Sequence, residues 1–351
     1  MSVHTHDVAP GVPGLTLESD ELSVTVLPEK GCDIYTLVER QSGIDLLFKT
    51  PWGLRRPGPG SHPPNSAAQW LEYYPGGWQL LCPNGGGPSV EAGIEWGFHG
   101  EACLVPWRIE HVGENEARLG TRLFRAPLRI ERHLVIQGPL LRIEEAIINE
   151  APDPVEFVWG HHPAFGAPFL DAGCILTTGA RSITADDLTP GTLLKAGSVH
   201  PWPETRTVQG HSVDLSAIPG PSEKRAHLAW LSDFDSGFFA LTNPRLGFGI
   251  GVRWPLEVFS QAWFWQEVHS SPGFPWFRRA YVAAVEPCTT VPPQGLAAAR
   301  LKGGSGLTLP GGGRQEVLLE AVLYRGQKPP VRIDPDGAVV FAEEDRRASN
   351  G

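Results

Sequence analysis

The sequence predicts an all-β protein, a large antiparallel β-sandwich built as one domain. Three observations carry that expectation. Apolar and polar residues alternate at period two along many short segments, the spacing of a strand with one buried face. Glycines number 41 and prolines 34, together about a fifth of the chain against roughly 12% in average usage, so the segments are separated by many turns. No stretch of ordinary helical length places apolar residues at the three- and four-residue spacing of an amphipathic helix.

Leu22, Val24 and Val26 alternate with Ser23 and Thr25. Leu128, Ile130, Leu134 and Ile136 share one face of a strand, with Arg129, Glu131 and His133 on the other. Gly138-Pro139 then turns the chain into Leu141, Ile143 and Ile147, the returning strand of a hairpin. After Gly311-Gly312-Gly313 the pattern repeats at Val317, Leu319, Ala321 and Leu323. No internal repeat or charge block divides the chain, so residues 1–351 form one unit, with the polar residues 342–351 as a frayed tail. The Pro/Gly-rich stretch 57–64 lies too near the start to link two domains and reads as a long loop at the rim of a binding cleft.

A formal net charge of -10 argues against nucleic acid or an anionic membrane as partner, since both need a basic face. The pairs Arg55-Arg56 and Arg278-Arg279 are too small to overturn that. No apolar run approaches the ~18 residues of a membrane span. The five cysteines are odd in number, form no CxxC and follow no signal-peptide pattern, which predicts buried, reduced thiols in a cytoplasmic protein.

Three separated stretches combine proton-transfer residues with glycine and aromatic neighbours: Gly97-Phe98-His99-Gly100-Glu101, Trp159-Gly160-His161-His162-Pro163-Ala164-Phe165 and Ala284-Val285-Glu286-Pro287-Cys288-Thr289. Around His99 the glycines allow close backbone approach to a ligand, although the same pattern suits a turn histidine without a chemical role. In an extended segment His161 and His162 face opposite sides, so one of them points into any given cleft. Pro163 bars a helical metal motif, and the spacing disfavours a cupin-like metal centre on His99, His161 and His162; no metal is expected. Glu286 ends the apolar run Val282–Val285. A carboxylate there pairs with a cation or faces a cleft, and burial raises its pKa towards that of a general base. Glu267 and Asp233 are weaker carboxylate candidates. With 12 tryptophans to supply flat faces, of which Trp78 and Trp265 are two stacking candidates, the pattern suits acid–base chemistry on a sugar.

Taken together, the segment ending in His99-Gly100, then Gly160-His161-His162-Pro163-Ala164-Phe165, Glu286-Pro287-Cys288-Thr289 and Leu309-Pro310-Gly311 resemble the aldose 1-epimerase (galactose mutarotase-like) family. The resemblance spans most of the chain at the level of pattern. It implies a single β-sandwich that interconverts sugar anomers, with no cofactor, and a small-molecule sugar as partner. Within that scheme Glu286 is the base, His162 the acid and His99 the histidine that orients substrate, while Asp233 or Asp235 takes the place of a sugar-binding aspartate. The chain departs from the family at Pro83-Asn84-Gly85-Gly86-Gly87, which lacks the usual arginine. Asn84 and the glycine amides are the sugar contacts expected there, and Arg279 or Arg278 would meet an anionic group if the substrate is an acidic sugar. A non-catalytic sugar-binding protein on the same fold is the competing reading; the presence of both His162 and Glu286 favours the enzyme.

Overall fold

The computed structural model describes residues 1–55, 64–189 and 191–342. Almost all of the 57–64 loop, and the tail beyond 342, lie outside the described residues. Strands dominate what is described, with two short α-helices, Ser66–Tyr73 and Leu296–Leu301. The strands form a twelve-stranded and an eight-stranded sheet, each paired antiparallel, plus four two-stranded ribbons. No helix among the described residues is long and apolar enough to cross a membrane.

The segments read from the sequence appear as strands. Leu22–Leu27 lies in the larger sheet. Leu128–Gln137 and Leu140–Asn149 form the hairpin, paired from Leu128↔Asn149 to Gln137↔Leu140. Arg314–Arg325 lies between that hairpin and the strand Phe248–Arg253. The inward residues Leu128, Ile130, Leu134 and Ile136 share one core cluster with Leu15, Leu17 and Val24 of the larger sheet. Each such side chain contributes about 1.5–3 kcal/mol on burial.

Period two also sends Arg132 inward, between Ile130 and Leu134, where it is buried. Its Nε donates to Glu145 Oε1 at 2.6 Å and its guanidinium donates to the Cys32 carbonyl at 2.6 Å. Glu145 belongs to the eight-stranded sheet, yet its second oxygen accepts from Trp159 Nε1 at 3.2 Å and lies 3.3 Å from His161 Nε2 of the larger sheet. Burial alone would raise the Glu145 carboxyl; Arg132 and His161 outweigh it and hold the group down to about 2. A charge pair therefore joins the two layers at mid-core.

That junction orients the four central strands of the larger sheet, which run side by side as Trp78–Leu81, Gly160–Gly166, Tyr281–Cys288 and Gln261–Val268. With His161 turned into the core, His162 must project from the opposite face. Breaking the pair from one side leaves a buried carboxylate unpaired. Arg132→Met is therefore expected to destabilise the fold by about 3–5 kcal/mol, read as a lower urea midpoint at unchanged m-value. A loss under 1 kcal/mol would show that the pair does not hold the layers.

Candidate active site

On the outer face of the larger sheet, cross-strand register sets polar residues in a row. Gly160 pairs with Cys288 and Ala164 with Ala284, which places His162 opposite Glu286; Trp263 pairs with Glu286 on the far side. His162 Nε2 lies 3.5 Å from Glu286 Oε1, and both side chains are buried. The adjacent strands thus bring together two groups separated by more than a hundred residues in sequence.

His99 joins them from a loop. The imidazole centroids of His99 and His162 are 5.6 Å apart. Its backbone is left-handed, with φ +59°, a conformation that histidine tolerates better than most side chains. A reciprocal clasp holds it there: His99 N donates to the Gly86 carbonyl at 3.0 Å, and Gly86 N donates to His99 Nδ1 at 3.0 Å. A ring nitrogen that accepts an amide hydrogen carries no proton of its own, so the proton of neutral His99 is on Nε2. Burial, reinforced by nearby His162, holds its pKa well below the ordinary value. His99 is a neutral hydrogen-bond donor.

The walls are aromatic. Asn65 caps the helix Ser66–Tyr73 by accepting from Ala68 N at 2.8 Å. That helix brings Trp70 and, just past its end, Tyr74 onto one face, stacked at 4.5 Å. Tyr74 meets the His162 ring edge-on at 5.6 Å, and Trp265 closes the other side at 5.8 Å, backed by Trp276. These groups line a cavity of about 430 Å³, within the range of small-ligand sites. Burial pushes the Glu286 carboxyl well above its ordinary value. It pulls His162 down to about 4, an effect its contact with its own backbone only partly offsets. Burial thus disfavours charge on both members of the pair, which favours a protonated carboxyl beside a neutral imidazole with one labile proton between them.

The rim consists of two interlocked loops. A Cβ on Gly86 would lie 2.1 Å from the Pro293 carbonyl oxygen, and one on Gly295 2.2 Å from that of Gly87. Only glycine permits this approach. Asn84 fastens both loops: its Nδ2 donates to the Gly87 and Gly97 carbonyls at 2.7 and 3.0 Å, and its Oδ1 accepts from Leu296 N at 3.0 Å.

His99, His162, Glu286 and Trp265 thus converge, while the remaining expected contacts lie elsewhere. Asn84 is fully buried with its amide engaged by backbone, so it builds the rim and does not face a sugar. Trp78 is on the core side of the sheet, its Nε1 donating to His161 Nδ1 at 3.2 Å. Glu267 is farther along the Trp263–Trp265 strand and caps a turn, accepting from Ser270 N and Ser271 N at 2.7 and 2.9 Å. Asp233 is exposed at a turn and accepts from Ser182 Oγ, while Asp235 pairs with Arg181. Arg279 is exposed and lines an adjoining groove with Trp52 and Phe277. No lysine or arginine among the described residues lines the cavity itself. All five cysteines are buried and free, and no group of three or more metal-ligating side chains occurs among the described residues. Sequence reasoning missed Trp70 and Tyr74, whose helix is too short to show a periodicity, and Trp263, whose pairing with Glu286 depends on register.

A sandwich of these antiparallel sheets has the galactose mutarotase-like fold. The galactose 1-epimerase from Lactobacillus acidophilus NCFM superposes with a TM-score of 0.59 at 12% identity, over 93% of this chain and 98% of that one. A galactose mutarotase-like protein from Lactobacillus casei ATCC 334 gives 0.60 at 15%, over 89% and 100%. One from Clostridium acetobutylicum gives 0.61 at 12%, over 92% and 98%. In sequence, residues 9–322 match the model of a domain of unknown function, DUF4432, and the chain belongs to that family. No curated protein matches it in sequence.

The raised pKa of Glu286 fixes a sign. The folded protein keeps a proton there that the unfolded chain releases above the ordinary carboxylate range, so this group's contribution to stability falls as pH rises through that window. Glu286→Gln removes the titration. It is expected to be more stable than wild type at pH 7.5, by about 1 kcal/mol, with the advantage shrinking towards pH 4.5 in urea titrations. A variant less stable at pH 7.5 would mean that Glu286 is ionised and paired.

Proposed function

We propose that this protein is an aldose 1-epimerase, an isomerase that interconverts the α and β anomers of a hexose or hexose derivative. The observation that carries the reading is the buried His162–Glu286 pair, 3.5 Å apart at the floor of an aromatic cavity with a neutral donor, His99, beside it.

Opening a sugar ring needs one proton removed from the C1 hydroxyl and one delivered to the ring oxygen. A pair holding a single labile proton supplies both at once. The Glu286 carboxyl gives its proton to the ring oxygen while His162 Nε2 takes the hydroxyl proton, leaving carboxylate and imidazolium side by side. After rotation about C1–C2 the imidazolium returns its proton to O1, the carboxylate recovers one from the ring hydroxyl, and closure on the other face restores the starting state. In this relay, with burial favouring the resting proton on Glu286, the roles at opening are the reverse of those the family resemblance implies. Each positioned group contributes roughly 10²–10⁴-fold. His99 Nε2–H holds a sugar oxygen, and the indole faces of Trp265 and Trp276 suit the apolar faces of the ring. The absence of lysine and arginine from the described cavity lining favours a neutral sugar over a phosphorylated or sulfonated one.

Saturation-exchange NMR across a panel of neutral and phosphorylated hexoses tests this. Glu286→Gln and His162→Asn are each expected to lower anomer exchange by at least ~10²-fold with binding nearly intact, and His99→Asn to weaken binding as well. Wild-type exchange in Glu286→Gln would overturn the relay, and binding without exchange in the wild type would identify a sugar-binding protein.

A further inference from the structure

The polar row on the outer face does not stop at His162. His162 pairs with Gln79 on the next strand, and the pairing of Ile34 with Trp78 sets Asp33 beside Gln79 on the same face. Asp33, Gln79, His162 and Glu286 therefore occupy one rung across four adjacent strands, all of them buried. Gln79 Nε2 donates to Asp33 Oδ2 at 2.7 Å, and the same oxygen accepts from Lys30 Nζ at 2.6 Å. Burial raises the Asp33 carboxyl, and the two donors converging on Oδ2 oppose that pull without cancelling it.

Asp33 Oδ2 already accepts from the Lys30 ammonium and so takes a donor from Gln79, which gives the amide one orientation: NH₂ towards Asp33 and Oε1 away from it. Gln79 Oε1 is buried without a hydrogen-bond partner, and so is His162 Nδ1 on the neighbouring strand. An acceptor and a ring nitrogen, both orphaned and registered side by side, are complementary if Nδ1 bears the hydrogen. Catalytic hydrogen bonds are often long in an unliganded enzyme and tighten when substrate binds.

We infer that Gln79 and Asp33 are positioning residues: Gln79 Oε1, oriented by Asp33, accepts the hydrogen of His162 Nδ1 and so keeps His162 Nε2 unprotonated and facing Glu286. The amide relays the carboxylate's influence to the imidazole. It selects the tautomer that can act as base and stabilises the imidazolium formed when the ring opens, the function an aspartate performs by direct contact in a Ser-His-Asp triad. The competing donor is Tyr74, whose buried hydroxyl also lacks a partner. Its O–H would enter an unprotonated Nδ1 and impose the opposite tautomer.

The role assigned to His162 rests on the proposed function, but its tautomer can be read without substrate. In ¹⁵N-histidine-labelled protein, with the His162 signals assigned by their loss in His162→Asn, the wild type is expected to show a protonated Nδ1 and an unprotonated Nε2. An unprotonated Nδ1 would overturn the inference in favour of Tyr74. Gln79→Met keeps the length and apolar stem while removing the acceptor. It is expected to shift the ring towards the Nε2–H form and to lower kcat by about 10–100-fold at unchanged KM, whereas Tyr74→Phe should leave the tautomer as in wild type. If Gln79→Met changes neither tautomer nor kcat, the relay is wrong even with Nδ1 protonated. If no sugar turns over in wild type while the ring signature responds to Gln79→Met as expected, the relay stands and the epimerase reading fails.

Discussion

His161 is the residue on which the arrangement of the cleft depends, although it never faces it. Trp78 and Glu145 hold it on the core side, and Glu145 is in turn fixed by Arg132. In a strand, a slip of one residue exchanges the two faces. Here such a slip would carry His162 into the core and strip Glu145 of one of its partners, an outcome penalised by the cost of disturbing a buried charge pair. The ion pair thereby specifies which histidine is available for chemistry.

The two faces of this strand solve the problem of burying polar groups in opposite ways. Towards the core, full charges are kept and neutralised by contact between Arg132 and Glu145. Towards the cleft, burial disfavours charge on Glu286, His162 and His99, and the Gly86 amide fixes His99 as a neutral donor. In the proposed relay, charge would appear on the His162–Glu286 pair only during proton transfer. The positions where charge would appear are those with polar neighbours already in register.

Much of this was legible in the sequence, for identifiable reasons. Period-two alternation around Leu128–Ile136 and Leu141–Ile147 marks a half-buried hairpin because each face meets a different medium. His162 and Glu286 are legible as candidates because an extended histidine pair sends one ring into any cleft it borders, and a carboxylate after an apolar run pairs with a cation or faces a cleft. The errors share a cause. Trp78 and Glu267 lie on strands that pass through the site, but which face they take, and how far along, is set by pairing with distant strands. Asn84 is visible in the sequence as a polar residue in a glycine loop, but the partners at Gly97 and Leu296 that make it a rim fastener and not a sugar contact exist only in the folded chain. Gln79 and Asp33 gave no signal at all, since an ordinary glutamine becomes interesting only when its neighbours across the sheet are known.

The interlocked rim has a consequence for how this cleft could accommodate different molecules. With Gly86 and Gly87 seated against Pro293 and Gly295 main chain to main chain, and Asn84 pinning both loops, neither loop can swing outward alone. That side of the opening behaves as a fixed jaw. Elsewhere the opening is lined by side chains, among them Leu71 and Trp276. Any change in the size or shape of ligand admitted must therefore be made there, by exchange of residues that touch neither the glycine dovetail nor the proton-transfer pair, so selectivity can drift across a lineage while the chemistry stays where it is.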